Sequence, residues 1–173
     1  MNFPQSEIGS VCFTGHRELS PEECALVAAR LPALLRRLSA ECRTRDFYAG
    51  GALGFDTLAA LAVLDLRDGK HLPVSLRLIL PCRDQSSRWS LEDRAVYAEI
   101  LTRADSAAVM SPAYYNGCML VRDRELVDRA DLCVCCLRPG CETGGTAYTV
   151  RCAHRAGIPV INLLDPEWPE DRL

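Results

Sequence analysis

Six short apolar runs, each separated from the next by a longer stretch, set the strongest constraint on how this chain can fold. They are SVCFTG (10–15), DFYAGG (46–51), SLRLILP (75–81), SAAVMS (106–111), LCVCCL (132–137) and IPVINLL (158–164). Strands with so few polar interruptions bury both of their faces. Alternation with helices brings such strands together as a parallel sheet covered on both sides. The expected class is α/β, a three-layer sandwich around a mostly parallel sheet of about six strands. At 173 residues the chain is read as one domain, residues 1–173.

The segments between the runs carry helical signals. SPEE at 20–23 is a helix start, with Ser20 as N-cap, Pro21 in the first turn and Glu23 closing a capping box. Leu26, Leu31, Leu34, Leu35 and Leu38 recur on one face of that helix, and Pro32 inside it predicts a kink or a break. Further helices are expected from the second run to about Arg67, from Ser90 to Arg103, over 118–130, and from Ala147 to Ala156 before Gly157. The residues after the sixth run form a proline-bearing acidic tail, expected at the surface.

Composition narrows the partners. Hydrophobic residues make up 49% and charged residues 25%, with a net charge of −3. There is no bulk electrostatic attraction for nucleic acid, so single-stranded DNA binding is the weakest reading. The start MNFPQSEIGS lacks the basic end and apolar core of a signal peptide, and no run is long enough to span a membrane. The expected location is cytoplasmic, without membrane attachment. The ten cysteines are then read as reduced thiols. Cys133, Cys135, Cys136 and Cys141 lack paired zinc spacing and are read as small buried hydrophobes; neither a metal nor a cofactor is expected.

Three strand ends carry the chemistry. In parallel sheets ligands bind beyond the carboxyl ends of the strands, where the strand order switches. Gly15-His16-Arg17, the group Gly50, Gly51, Gly54, Asp56 and Thr57, and Gly144-Gly145-Thr146 each follow a strand and so share one edge. His16 and Arg17 can donate to an anion or stack on a base. The two glycine groups offer bare amides at helix starts, where the dipole favours negative charge. Asp56 would repel phosphate, so it is read as an N-cap or an acceptor for ribose hydroxyls, while Thr57 could donate to phosphate. Gln85 can read a base or sugar edge. Trp89 either stacks on a ligand or closes the core, and core is favoured. Arg122 and Asp123 are read as a solvated helix face.

In order, TGHR, AGGALGFDTLAA, Pro81 with Gln85 and Trp89, Tyr97 with IL-x-x-AD, and GGT-x-Y resemble the YpsA-like family of the SLOG superfamily. The likeness runs from about Val11 to Leu163. That superfamily is related to DprA and to the "lonely guy" phosphoribohydrolases. The resemblance implies a Rossmann-like sheet binding a nucleotide-derived ligand. It also implies contacts at Gly15, His16, Arg17, Gly50, Gly51, Gly54, Asp56, Gln85, Gly144, Gly145 and Thr146. Two departures stand out: Arg122-Asp123 replaces the family's Arg-Asn, and Thr149 stands where the phosphoribohydrolases carry a catalytic glutamate.

Two functions follow from these readings. The first is a sensor or regulatory module for a nucleotide, nucleotide sugar or ADP-ribose-like ligand, with protein partners or a homodimer as further options. The alternative is a hydrolase of a nucleotide N-glycosidic bond, using Asp56 and Glu142.

Overall fold

The computed structural model describes residues 8–168. The chain alternates strand and helix throughout: β1 (Ser10–Gly15), α1 (Pro21–Glu41), β2 (Asp46–Ala49), α2 (Phe55–Leu64), β3 (Ser75–Leu80), α3 (Leu91–Arg103), β4 (Ser106–Val109), α4 (Cys118–Asp128), β5 (Leu132–Cys136), α5 (Gly144–Ala156) and β6 (Val160–Asn162). A π-helical turn, Asp65–Gly69, carries α2 past Arg67, where the sequence places its end. The six strands form one sheet in the order β4-β3-β2-β1-β5-β6, and every pairing is parallel. This is a Rossmann-like three-layer architecture.

Period-2 alternation along the central strand sorts the layers. Val11 and Phe13 join a core with Leu31, Leu35 and Leu38 of α1 and with Phe55, Ala59 and Val63 of α2. Cys12 points the other way, into a cluster with Leu126 and Val127 of α4 and Val150 and Ala153 of α5. The Phe13 ring stacks on Phe47 at 6.0 Å and meets Phe55 edge-on at 6.3 Å. Cys133 and Cys135 lie in the second cluster as apolar filling, and all ten cysteines are free.

The start of α1 matches its expectation in detail. Glu23 N–H donates to Ser20 Oγ at 3.2 Å, and Ser20 N–H donates to Glu23 Oε2 at 2.8 Å. Pro32 does not break the helix, which runs continuously through it. A proline inside a helix removes one backbone hydrogen bond, at a cost of about 3 kcal/mol. Burial on either side of it offsets that loss: Val27, Leu31, Leu34, Leu35 and Leu38 are all buried and anchor the segment to the sheet.

Two other expectations change. SAAVMS gives a strand that is exposed along its whole length, so the edge of this sheet at β4 is not covered on both faces. The tail is exposed at 165–167, but Trp168 turns back, packs on the core and lies under the Arg30 guanidinium at 5.2 Å. The rest of the tail, 169–173, lies outside the described residues. No helix among the described residues is long and apolar enough to cross a membrane.

The topology fixes where a site can form. From β1 the chain winds outward through β2, β3 and β4, then returns past β1 to build β5 and β6. The switch point therefore falls between β1 and β5, whose carboxyl ends align with Gly15 opposite Cys136. The cap at Ser20 stands just beyond that point, and Ser20→Ala should lower the unfolding free energy by about 1 kcal/mol. Urea denaturation followed by far-UV circular dichroism measures this. An unchanged midpoint would show that the box contributes nothing to stability.

Candidate functional site

A cavity of about 360 Å³ opens at the switch point, over the carboxyl ends of the sheet. Its walls come from four places: Gly15, His16 and Arg17 after β1, Ala52 and Asp56 around the start of α2, Arg122 and Asp123 of α4, and Gly145 and Thr146 at the start of α5. All three predicted strand-end motifs contribute to it. Within those motifs, however, the residues divide by what their atoms are bound to.

The β2–α2 glycines make room for the protein's own groups. Gly50 N–H donates to Asp56 Oδ2 at 3.1 Å, and Gly50 O accepts from Arg122 Nη1. A Cβ at Gly50 would overlap the Arg122 guanidinium. Gly51 has φ +63° and a Cβ there would lie 2.7 Å from Leu80 Cδ2; its carbonyl accepts from Gln85 Nε2 at 3.0 Å. A Cβ on Gly54 would overlap the carbonyl oxygens of Arg17 and His16. Thr57 Oγ1 donates to Ala52 O at 2.9 Å and is spent within the loop. The backbone amide the sequence offers to a phosphate at Gly50 is already bonded.

Asp56 is not the N-cap of α2. That position belongs to Gly54, without a side-chain bond. The Asp56 carboxylate folds back instead onto the loop amides of Gly50 and Ala52, at 3.1 and 3.3 Å. It is 5% exposed, and burial pushes its pKa up to about 6 despite Arg122, whose Nη1 lies 3.9 Å away.

Arg122 and Asp123 are buried rather than solvated, at 6% and 5% exposure. Arg122 Nε donates to Asp123 Oδ1 at 2.8 Å, so the guanidinium links α4 to the Gly50 carbonyl. Burial raises the Asp123 pKa above the usual carboxylate value, with Arg122 opposing the shift. The sequence does carry a signal for them, and it is periodic: Cys118, Arg122 and Leu126 share one face of α4 at four-residue spacing, and all three are buried. Charged residues on an inward stripe mark a site or a buried pair.

The loops after β1 and β5 are stitched together by Arg138. Its backbone N–H donates to His16 Nε2 at 3.2 Å, and its guanidinium bonds Glu23 at 2.6 and 2.8 Å and the Glu18 carbonyl at 2.8 Å. Arg138 holds the Glu23 pKa down to about 2. Burial lowers the His16 pKa, with Arg138 adding to the effect. A neutral ring that accepts at Nε2 carries its proton on Nδ1, leaving one donor. Arg17 is exposed, and no ion pair or hydrogen bond to its side chain occurs among the described residues.

At α5 no side chain caps the helix start, so its first amides remain available at the cavity rim. Gly144 has φ +87° with open space where a Cβ would stand. A Cβ on Gly145 would meet Asp123 Oδ2 at 3.6 Å. Thr149 Oγ1 donates to Gly145 O at 2.9 Å. Glu142 is exposed and does not line the cavity. Gln85 lies outside this cavity too, its amide nitrogen donating to Gly51 O and to Tyr97 Oη at 2.9 Å.

The family model of YpsA, described as the YspA SLOG family, matches residues 12–156, a span that holds every wall of the cavity. The chain belongs to this family. No curated protein matches the chain in sequence. The family match covers the strand-end loops and the Arg122-Asp123 pair alike.

The raised proton affinity of Asp56 has a definite sign in stability. Its value rises from 3.8 to about 6 on folding, so between about pH 4 and pH 6 the folded chain holds a proton that the unfolded chain has released. This carboxyl therefore favours folding most below about pH 4, and that contribution declines as pH rises through the window, by up to about 3 kcal/mol. In urea titrations across the window, the stability of the native chain minus that of Asp56→Asn should fall with rising pH. A difference that stays flat would show that the carboxyl is not proton-loaded by folding.

Proposed function

We propose that this chain binds a nucleotide-derived ligand in the switch-point cavity and acts as a sensor or regulatory module. The observation that carries this reading is the convergence on one hollow of Arg17, His16 and the start of α5, which no side chain caps. An exposed guanidinium and a helix start together favour an anionic group. The neighbouring carboxylates Asp56 and Asp123 offer acceptors, which suit hydroxyl groups such as those of ribose. A nucleotide supplies both kinds of partner. Family membership supports a nucleotide-related role at this coarse level.

A second reading is favoured by one observation. Asp56 and Asp123 line the same cavity, and both hold protons more tightly than ordinary carboxyls. A carboxyl pair tuned upward suits general acid–base cleavage of an N-glycosidic bond. Against it, Thr149 is buried and bonded to the Gly145 carbonyl, in the place where the phosphoribohydrolases have glutamate. Binding without turnover is therefore preferred.

Isothermal titration with ADP-ribose, NAD, nucleotide sugars and cyclic dinucleotides tests the first reading. At least one of these should bind, and Arg17→Ala should weaken that ligand by roughly ten- to a hundredfold, the worth of a charge-assisted contact. Absence of heat across the whole panel would reject it. Incubation with nucleoside monophosphates and NAD, followed by chromatography, decides the second. Binding without release of free base is the expected result.

A further inference from the structure

Beside the switch-point cavity lies a second hollow, of about 430 Å³, and the two meet at a pair of shared side chains, Arg17 and Met119. The outer hollow draws its other walls from the β3–α3 loop, with Gln85, Arg88 and Trp89, and from Tyr114 before α4. Each volume falls within the range of small-molecule sites, roughly 300–1,000 Å³. Their chemistries differ sharply.

The inner hollow is rich in acceptors. Asp56 and Asp123 face the buried guanidinium of Arg122, and the exposed Arg17 also acts on Asp123 across the hollow. A phosphate at that depth would meet two carboxylates, whereas hydroxyl donors would find open lone pairs. The outer hollow is aromatic and basic. Trp89 is fixed edge-on against Tyr97 at 5.2 Å, and Gln85 is pinned by Gly51 and Tyr97, so that floor is rigid. Tyr114 is 60% exposed, with its backbone N–H held by Asp84 Oδ1 at 2.9 Å. Arg88, like Arg17, has no ion pair or hydrogen bond among the described residues. Among the described residues, Asp84 is the one carboxylate lining this side.

We infer that the two hollows form one bipartite site for a nucleotide whose phosphate bridge carries a second, hydroxyl-rich group. The base stacks on the aromatic side chains of the outer hollow, the bridge lies on Arg17, and the sugar hydroxyls enter the inner hollow toward Asp56 and Asp123. This deepens the proposed function and rests on it. The orientation follows from charge: the anionic bridge sits where the shared arginine stands, and the hydroxyl groups sit where Asp56 and Asp123 disfavour a phosphate.

Titration calorimetry on the full chain with ADP-ribose, AMP and ribose 5-phosphate tests the assignment. ADP-ribose should bind at least tenfold more tightly than either fragment. Tyr114→Ala, at an exposed position, should leave the thermal midpoint unchanged and weaken ADP-ribose and AMP by roughly ten- to a hundredfold through lost stacking. It should leave ribose 5-phosphate unaffected. Equal affinity for AMP and ADP-ribose, or full ADP-ribose affinity in Tyr114→Ala, overturns the bipartite site while leaving single-lobe nucleotide binding intact. Silence from ADP-ribose overturns it as well, and the wider nucleotide panel then decides the proposed function separately.

Discussion

The buried guanidinium of Arg122 is the contact on which the site's shape depends. It reaches from α4 to the Gly50 carbonyl, with Asp123 beside it and Asp56 just beyond. Those four residues tie the β2–α2 connection to the middle of α4, far from it in sequence. A buried charge cluster of this kind is a weak source of net stability, because desolvation offsets most of the attraction. Removing one member is costly, at about 3–5 kcal/mol, because the others are left uncompensated. Its value is positional. It sets the depth of the cavity and makes its floor acidic.

Most of the scaffold is legible in the sequence because its signals are local. The strand bounds at Ser10–Gly15 and Leu132–Cys136 and the capping box at Ser20 follow from apolar runs and from hydrogen bonds spanning three residues. The edge that gathers the three loops also follows, since parallel topology forces it. What sequence does not show is competition for space. The glycines at 50, 51 and 54 look alike whether a ligand or a neighbouring side chain fills the gap. Here Arg122, Leu80 and the His16–Arg17 backbone fill those gaps. Asp56 departs from the cap expected of it for a related reason, because a carboxylate at a helix start can bond its own helix or fold back on the loop before it. Arg122 and Asp123 depart from a solvated face because charge is a poorer guide than period on this helix. Their spacing with Cys118 and Leu126 points inward.

The division of labour between the two glycine loops follows from these contacts. The loop ahead of α2 is largely engaged internally: the amides of Gly50 and Ala52 serve Asp56, and its carbonyls serve Arg122, Gln85 and Thr57. The loop ahead of α5 keeps its amides uncapped and its glycine Gly144 facing open space. Two stretches with matching composition thus act as wall and as mouth. Asp123, buried beside Asp56 on the same cavity, places a second acidic group between them.

The close seating of Gly54 under the carbonyls of His16 and Arg17 has an evolutionary corollary. Phe55 N–H also donates to His16 O at 3.1 Å, so the first two loops are fastened backbone to backbone. Neither loop can be lengthened or re-angled by drift without the other moving in step. Sequence change that leaves this lock intact falls on segments outside it, such as the β3–α3 loop and the approach to α4.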